Sequence, residues 1–188
     1  LLYNANPLTM EQEKAKAFWF FSYSCNGMNI KDIAFLRWEN LQDDKLYFFR
    51  AKTINTSKSD LQQVTAYLND FTNSVIDKYG NQSRKPKDFI FPILSEENTD
   101  EVNHTKVKNF TRFINQNLKK LAIANGVPDT VSTYWARHSF ATNAIRNGAS
   151  MEFVSEALSH SNMKTTQGYF AGFEDGDKKE LMKRIMEF

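Results

Sequence analysis

The last third of the chain carries the feature that most restricts its fold: three short segments, with Arg137 near the start of the first and with His160 and Tyr169 just after the second and the third. Their residue pattern predicts helices at 134–147, 151–158 and 162–168. Tyr169 follows His160 by nine residues and Arg137 by thirty-two. A fold that uses these side chains together must therefore bring three separate segments to one place.

A tyrosine accompanied by an arginine and a histidine suggests chemistry at phosphorus. A phenol has an ordinary pKa of about 10 and is a poor nucleophile at neutral pH. Cationic donors around the electrophile stabilise the negative charge that develops during attack. The pattern thus favours attack of Tyr169 on a phosphodiester, with Arg137 and His160 beside the phosphate.

The distribution of charge is more informative than its total. The 188 residues carry a formal net charge of only +2. From 102 to 128 there is no acidic residue, whereas five basic residues fall in this stretch: Lys106, Lys108, Arg112, Lys119 and Lys120. A helix with positive charge on one side could follow phosphates. A solvated helix face explains the run equally well.

Length and composition indicate one globular domain with a substantial core. No apolar run is long enough to cross a membrane and no signal-peptide pattern is present, so a cytoplasmic location without membrane contact is expected. Cys25 is the single cysteine, which excludes an internal disulfide and a cysteine-based metal site. Because the chain starts at Leu1 rather than at a methionine, it is expected to be part of a longer protein.

The rest of the chain reads as mostly helical with a small antiparallel sheet near its start. Thr9 with Gln12, and Asn29 with Asp32, are capping-box signals that open two helices. The predicted elements are helices at 9–23, 30–38, 70–79 and 103–125, strands at 45–50 and 61–67, and a C-terminal tail helix within 175–188. The tail carries Leu181, Ile185 and Phe188 on one stripe.

Three parts of the chain together resemble the catalytic domain of the tyrosine recombinases, the phage-integrase family. Residues 27–38, GMNIKDIAFLRW, resemble the first box of the family. Residues 50–53, RAKT, resemble the strand and hairpin that carry its lysine. Residues 134–142, YWARHSFAT, with LSHS at 158–161 and Tyr169, resemble the last box. The match extends over nearly the whole chain in the correct order.

The resemblance implies a fold and an activity. The expected fold is α+β and mostly helical, a single catalytic domain over 1–188 with a small three-stranded antiparallel sheet, preceded in the longer protein by a DNA-clamping domain. The expected activity is site-specific recombination or integration of double-stranded DNA through a 3′-phosphotyrosyl link, for a phage or mobile element. Neither a metal nor another cofactor is expected.

The family also implies a role for each site residue. Tyr169 would attack, Arg137 would clamp the phosphate with paired hydrogen bonds, and His160 would bind the phosphate or manage the tyrosine proton. Lys52 would protonate the departing 5′ oxygen as general acid.

Two departures from the family pattern concern this site. Asn29 stands where the family has its first arginine, and we expect Arg50 to replace it, because Arg50 and Lys52 leave the same face of a predicted strand. Arg37 is the less favoured replacement. Tyr134 stands in place of a histidine, three residues before Arg137, and can still offer a hydroxyl. Ser159 replaces a glycine, a change expected to matter little.

Each of these residues also has a structural explanation when taken singly. Asn29 is expected to be an N-cap, and Trp38 and Trp135 are expected in the core.

Two other functions remain open: a DNA-binding relative that lost catalysis with the arginine at position 29, and a tyrosine topoisomerase. Because one tyrosine cleaves one strand, exchange between two duplexes implies a homotetramer on DNA, while the free chain is expected to be a monomer. The tail helix is expected to dock on a neighbouring protomer or on its own domain.

Overall fold

The computed structural model describes residues 1–51, 62–160 and 162–169, together with residues 176, 179, 182, 183 and 186. The described elements follow one another as α1 Met10–Ser24, α2 Ile30–Phe35, β1 Leu41–Gln42, β2 Lys45–Phe49, β3 Gln63–Tyr67, α3 Asp70–Tyr79, α4 Asp100–Ala124, α5 Thr133–Arg146, α6 Met151–Ala157 and α7 Met163–Gln167. Short 3₁₀ turns lie at Leu2–Asn4 and Trp38–Asn40.

The expected α+β, mostly helical architecture with a three-stranded antiparallel sheet is confirmed. The strand order is β1-β2-β3, and β2 pairs with β3 from Lys45 opposite Tyr67 to Phe49 opposite Gln63. Leu46 on β2 is fully buried, as is its partner on β3. The alternation of buried and more exposed positions along both strands places one face of the sheet on the core.

Helix α1 organises the main core. The Thr9 hydroxyl accepts a hydrogen bond from the Gln12 N–H at 3.3 Å, which is the predicted N-terminal cap. Phe18 then packs edge-on against Phe91 and Phe110, each with its ring centre 4.9 Å away. Burying a side chain of this size contributes about 2 to 3 kcal/mol, which fixes α1 against α4.

A second, smaller core joins α5, α6 and α7. It consists of Ala141, Ile145, Val154, Leu158 and Tyr169. The three helices that form it were predicted at 134–147, 151–158 and 162–168, and these predictions are confirmed to within a residue or two at the helix ends. The site lies where this second core meets the main core, and the ring of Tyr169 is part of its wall.

Two contacts attach α5 to α1. The Trp19 indole N–H donates to the Ser132 carbonyl at 2.9 Å, just before α5 begins. The Asn143 amide donates to the Tyr23 hydroxyl at 3.0 Å near the other end of α5. These bonds fix the orientation of the helix that carries Arg137.

The helix predicted over 30–38 is too long. Helix α2 ends at Phe35, because Leu36 turns to an extended conformation and its carbonyl accepts the Ile90 N–H at 2.8 Å. Arg37 then pairs with Phe89 in an antiparallel bridge. Pairing with a distant segment thus overrides the local helical pattern.

Two further predictions are corrected by the structure. Helix α4 begins at Asp100 rather than at 103, since Thr99 caps it and the acidic Asp100 and Glu101 suit the positive end of the helix dipole. Trp135 is 51% exposed and is not a core residue, whereas Trp38 is buried at 8% as expected.

The tail predicted at 175–188 lies mostly outside the described residues, as does Lys52. Among the helices that the structure does describe, none combines the length and apolar character needed to span a bilayer.

Candidate active site

Four of the predicted catalytic residues form one connected group, and a fifth adjoins it. Arg137 lies 3.1 Å from His160, measured from Nη2 to Nε2. The hydroxyl groups of Tyr134 and Tyr169 are 3.5 Å apart. Arg50 reaches the turn after α6 on which Arg137 also rests. Lys52, the predicted general acid, lies outside the described residues.

The guanidinium of Arg137 is held from several sides. Its Nη1 donates to the Gly27 carbonyl at 3.2 Å, and its Nη2 donates to the Leu158 carbonyl as well as contacting His160. Only 5% of Arg137 is exposed. Burial and the nearby Arg50 lower the pKa of Arg137, while the hydroxyl of Tyr169 and the carboxylate of Asp32 oppose that shift. These contacts hold the planar, positively charged guanidinium of Arg137 in one orientation.

Gly27 makes this placement possible through its lack of a side chain. Its φ is +63°, in the left-handed region, and a Cβ there would lie 2.6 Å from the Arg137 Cα. No other residue allows the α1–α2 turn to approach α5 so closely. The glycine of the first box thus positions the arginine of the last box.

We expect Gly27→Ala to lower the free energy of unfolding. The left-handed backbone costs about 1 to 2 kcal/mol for a residue with a Cβ, and the clash with Arg137 adds to it. Gly126→Ala is the matched control, since Gly126 has φ +65° and open space around its Cβ position. Chemical denaturation should show a larger loss for Gly27→Ala than for Gly126→Ala. Equal losses for the two variants would contradict the close-approach argument.

Two histidine rings lie against the ring of Tyr169. The His160 ring lies nearly parallel to that of Tyr169, with centres 5.7 Å apart. The centre of the His138 ring lies 4.6 Å from that of Tyr169 and 4.4 Å from that of Tyr134, so His138 contacts both phenol rings. Tyr169 is 8% exposed, whereas Tyr134 is 55% exposed. The hydrogen bond to Tyr169 and partial burial raise the pKa of Tyr134, which keeps that phenol neutral.

His160 is neutral at neutral pH in this environment. Burial, followed by the charges of Arg137 and Arg50, lowers its pKa to about 4. Its Nδ1 lies 2.9 Å from the Thr166 hydroxyl. His160 can therefore accept a hydrogen bond or a proton at one ring nitrogen while the other is occupied.

The low pKa of His160 predicts how stability depends on pH. Between its ordinary 6.5 and about 4, the folded protein binds fewer protons at this ring than the unfolded chain. The stabilisation is present above pH 6.5 and is lost as the pH falls through this window. Urea unfolding from pH 7.5 to 4 should show a flatter profile for His160→Gln than for the parent. Substitution of the exposed His104 by Gln should leave the slope unchanged; a slope unaltered in His160→Gln would contradict the prediction.

Arg50 lies immediately after β2 and reaches the same turn as Arg137. Its Nη1 lies 3.2 Å from the Leu158 carbonyl oxygen and 3.3 Å from that of Ser159. Two guanidinium groups thus share the Leu158 carbonyl. The predicted strand 45–50 ends one residue early, so Arg50 does not continue the regular alternation of β2.

A buried carboxylate that the sequence analysis assigned only to a capping box lies near both arginines. Asp32 is 6% exposed, and its Oδ1 accepts the Ala51 N–H at 2.8 Å. Burial raises the pKa of Asp32, while the Ala51 N–H, Arg50, Asn29 and Arg137 act in the opposite direction. Two guanidinium groups face one carboxyl, so the site stays positive in either protonation state of Asp32.

Two minor expectations about the site are corrected. Asn29 occupies the N-cap position of α2 as expected, but its side chain makes no capping hydrogen bond to that helix and interacts with Asp32. Ser159 has φ +49°, where glycine would be free of steric cost and serine costs about 1 kcal/mol. This turn directs the carbonyl groups of Leu158 and Ser159 at the guanidinium groups, so the residue has a structural effect.

The five basic residues predicted to meet DNA are all exposed on α4. At about 100° per residue, Lys108, Arg112 and Lys119 lie on one stripe of α4. Lys120 lies about a quarter to a third of a turn away from the stripe, and Lys106 about a third of a turn or more. Asn115 is on the same stripe, and its Oδ1 accepts the Thr133 N–H at 2.8 Å. The stripe therefore borders the start of α5, next to Tyr134. The Lys119 ammonium also pairs with Asp129 at 3.1 Å.

Comparison with known proteins agrees with this geometry. The model of the "Phage integrase family" matches residues 2–174. A tyrosine recombinase XerC of Pediococcus pentosaceus is 25% identical over 143 residues, which cover 76% of this chain and 45% of that protein. A tyrosine recombinase XerD of Listeria monocytogenes serotype 4b is 27% identical over 150 residues, again with 76% and 45% coverage. The chain thus spans about half the length of these curated relatives.

Solved structures resemble the chain at low sequence identity and establish the fold alone. The crystal structure of XerA recombinase has a TM-score of 0.58 and 17% identity, with 97% of this chain and 64% of that chain covered. The Tn1549 transposon integrase in complex with a circular intermediate DNA has a TM-score of 0.61 and 14% identity, covering 96% and 66%. XerH bound to its difH substrate has a TM-score of 0.59 and 12% identity, covering 96% and 49%.

Proposed function

Because this chain belongs to the phage integrase family, we propose that it cuts and rejoins DNA strands through a covalent link between Tyr169 and a 3′ phosphate. The proposed biological role is integration or excision of a phage or mobile element. No metal or other cofactor takes part in the proposed reaction.

The observation that carries the proposal is the convergence of Tyr169, Arg137, His160 and Tyr134. Their side chains come from the start of α5, the turn after α6 and the residues just after α7. Arg137 lies 3.1 Å from His160, and the Tyr134 hydroxyl lies 3.5 Å from that of Tyr169. A set of phenol, guanidinium and imidazole groups matches what displacement at a phosphodiester requires. The guanidinium donates to the non-bridging oxygens, where negative charge grows in the transition state.

The proposed step forms one bond and breaks one. The Tyr169 oxygen attacks phosphorus, the bond from phosphorus to the 5′ oxygen breaks, and a 5′ hydroxyl leaves. The phenol proton passes to a base in the site, and Lys52 supplies a proton to the 5′ oxygen. Support for Lys52 comes from its neighbour, since the bond from the Ala51 N–H to Asp32 holds the start of this hairpin at the site.

Arg50 is proposed as the second guanidinium in place of the arginine missing at Asn29. Its support is the shared Leu158 carbonyl, which brings Arg50 and Arg137 to one turn with Asp32 as their counter-charge. A phosphate that displaces these carbonyl contacts would meet both groups. This placement also argues against a relative that lost catalysis through position 29.

Arg50→Ala is expected to slow strand cleavage by about 100-fold or more, as loss of one preorganised donor to a transition-state oxyanion does. Arg37→Ala is the matched control, because Arg37 pairs with Glu96 away from this turn. The measurement is single-turnover cleavage of a nicked half-site, with protein folding checked by thermal unfolding. Cleavage by Arg50→Ala at the parent rate would show that Arg50 does not serve as the second guanidinium.

DNA is proposed to lie along the α4 stripe formed by Lys108, Arg112 and Lys119. This stripe borders the start of α5 through the bond from Thr133 to Asn115, so a duplex on it would pass near Tyr169. Lys106 and Lys120 face other directions and are proposed as peripheral contacts. Backbone contacts of this kind orient a duplex without reading its sequence.

Assembly follows from the chemistry proposed. Exchange between two duplexes breaks four strands, so four Tyr169 side chains are needed and a homotetramer on DNA is proposed. The isolated chain is proposed to be a monomer that assembles only on its substrate.

The test of the proposed function is a nicked suicide substrate that releases a short fragment with a free 5′ hydroxyl after cleavage. An active protein accumulates a covalent protein–DNA complex that survives denaturation, and does so in the presence of a chelator. A non-catalytic DNA-binding protein would retain salt-dependent binding without any covalent complex. That second outcome would refute the proposal.

A further inference from the structure

Thr166 is a fully buried polar residue in the site that the family comparison leaves without a role. It lies on α7, three residues before Tyr169, and its exposure is 0%. Its hydroxyl oxygen is 2.9 Å from Nδ1 of His160. The other ring nitrogen, Nε2, faces Arg137 at 3.1 Å. His160 is thus held between a hydroxyl and a guanidinium.

The chemistry of these two partners determines which ring nitrogen carries the proton. A guanidinium has only donor groups, so the contact with Arg137 requires a lone pair on Nε2. A neutral imidazole has one donor and one acceptor, which puts its single proton on Nδ1. The Thr166 hydroxyl is the group that accepts this proton. The low pKa of His160, about 4, agrees with a neutral ring.

We propose that Thr166 is a positioning residue that fixes the tautomer of His160 and so keeps the Nε2 lone pair directed into the site. In the free protein this lone pair accepts a hydrogen bond from Arg137. When a phosphate takes the Arg137 Nη2 group, the lone pair becomes available.

The inference rests on the proposed function for its consequence in catalysis. The available Nε2 takes the phenol proton as the Tyr169 oxygen bonds to phosphorus, and Lys52 gives its proton to the departing 5′ oxygen. The resulting imidazolium donates through Nε2 to a phosphate oxygen and through Nδ1 to Thr166. Proton count and bond count both balance. Because a hydroxyl accepts from Nδ1–H in both charge states, Thr166 serves the ring before and after the transfer.

The first measurement reads the tautomer in the free protein and needs no DNA. Long-range ¹H–¹⁵N NMR distinguishes a protonated ring nitrogen from one with a lone pair, and the chain has only 3 histidines to assign. His160→Gln identifies the signal. We expect Nδ1–H in the parent and in Thr166→Ser, and a mixture containing Nε2–H in Thr166→Val, where Nδ1–H would be buried without an acceptor. An Nε2–H tautomer in the parent would overturn the inference.

The second measurement reads covalent-complex formation on the nicked substrate from pH 5.5 to 9. We expect Thr166→Val to be slower by about 10-fold or more with an altered pH profile, and Thr166→Ser to stay close to the parent. An unchanged rate and profile in Thr166→Val would also overturn the inference. If the parent shows the expected tautomer but forms no covalent complex, the proposed function fails while the assignment of the tautomer stands.

Discussion

Tyr169→Phe is expected to abolish the covalent protein–DNA complex, because the variant keeps the ring in the second core but lacks the oxygen that bonds to phosphorus. The ring packs with Leu158 and the other members of that core, so the loss of one hydroxyl leaves the fold intact. Thermal unfolding and DNA binding should therefore match the parent. The measurement is the fraction of denaturation-resistant complex on the nicked substrate.

The second phenol supplies the matched control. The Tyr134 hydroxyl is 3.5 Å from that of Tyr169 and more exposed, so it is the alternative nucleophile that the structure offers. Tyr134→Phe removes one neutral hydrogen bond and should slow complex formation by only about 2- to 10-fold. A covalent complex that survives in Tyr169→Phe and disappears in Tyr134→Phe would reverse the assignment.

Arg137→Lys is expected to reduce cleavage by about 100- to 1000-fold, which is the usual effect of losing a preorganised donor to a developing oxyanion. Lysine keeps the charge, but its point-like ammonium cannot bond the Gly27 and Leu158 carbonyl groups and His160 while presenting two donors to a phosphate. The affinity for DNA should change little, since the net charge is preserved.

The control for this prediction is on the same helix. Arg146→Lys makes the same substitution at an exposed position in the last turn of α5. It should cleave at the parent rate. If Arg137→Lys cleaved as fast as Arg146→Lys, charge alone would be sufficient and the forked geometry of Arg137 would have no role.

Residues whose role depends on local pattern were predictable from the sequence. Thr9 caps α1 as its spacing to Gln12 indicates, and the helices around Arg137, His160 and Tyr169 lie where their patterns place them. The grouping of Arg137, His160 and Tyr169 was anticipated from their residue types and from the resemblance to the last box of the family, which also added Tyr134.

Residues whose role depends on distant segments could not be predicted in this way. Helix α2 stops at Phe35 because Leu36 bonds Ile90, and no pattern within 30–38 carries that information. The spacing of Asp32 from Asn29 predicted a capping box, yet its carboxylate accepts a hydrogen bond from the Ala51 N–H and interacts with two arginines. Thr166 gave one available signal, its spacing of three from Tyr169 at the end of a predicted helix, and the Tyr169 N–H does donate to the Thr166 carbonyl at 3.0 Å.

Gly27 shows a third case, in which the motif was visible but its physical reason was not. The glycine belongs to the first box, but only the fold reveals that a Cβ there would strike the Arg137 backbone. Trp135 shows the converse. Its size suggests burial, whereas its position beside Tyr134 at the start of α5 leaves 51% of it exposed.

The most direct test of the central claim is to identify the residue that carries the nucleotide in the trapped complex. Trypsin releases Tyr169 in the peptide 165–178 and Tyr134 in the peptide 121–137, so mass spectrometry after nuclease digestion separates the two phenols. The account predicts a phosphonucleotide on Tyr169. A modification on Tyr134, or a trapped complex with neither peptide modified, would contradict it.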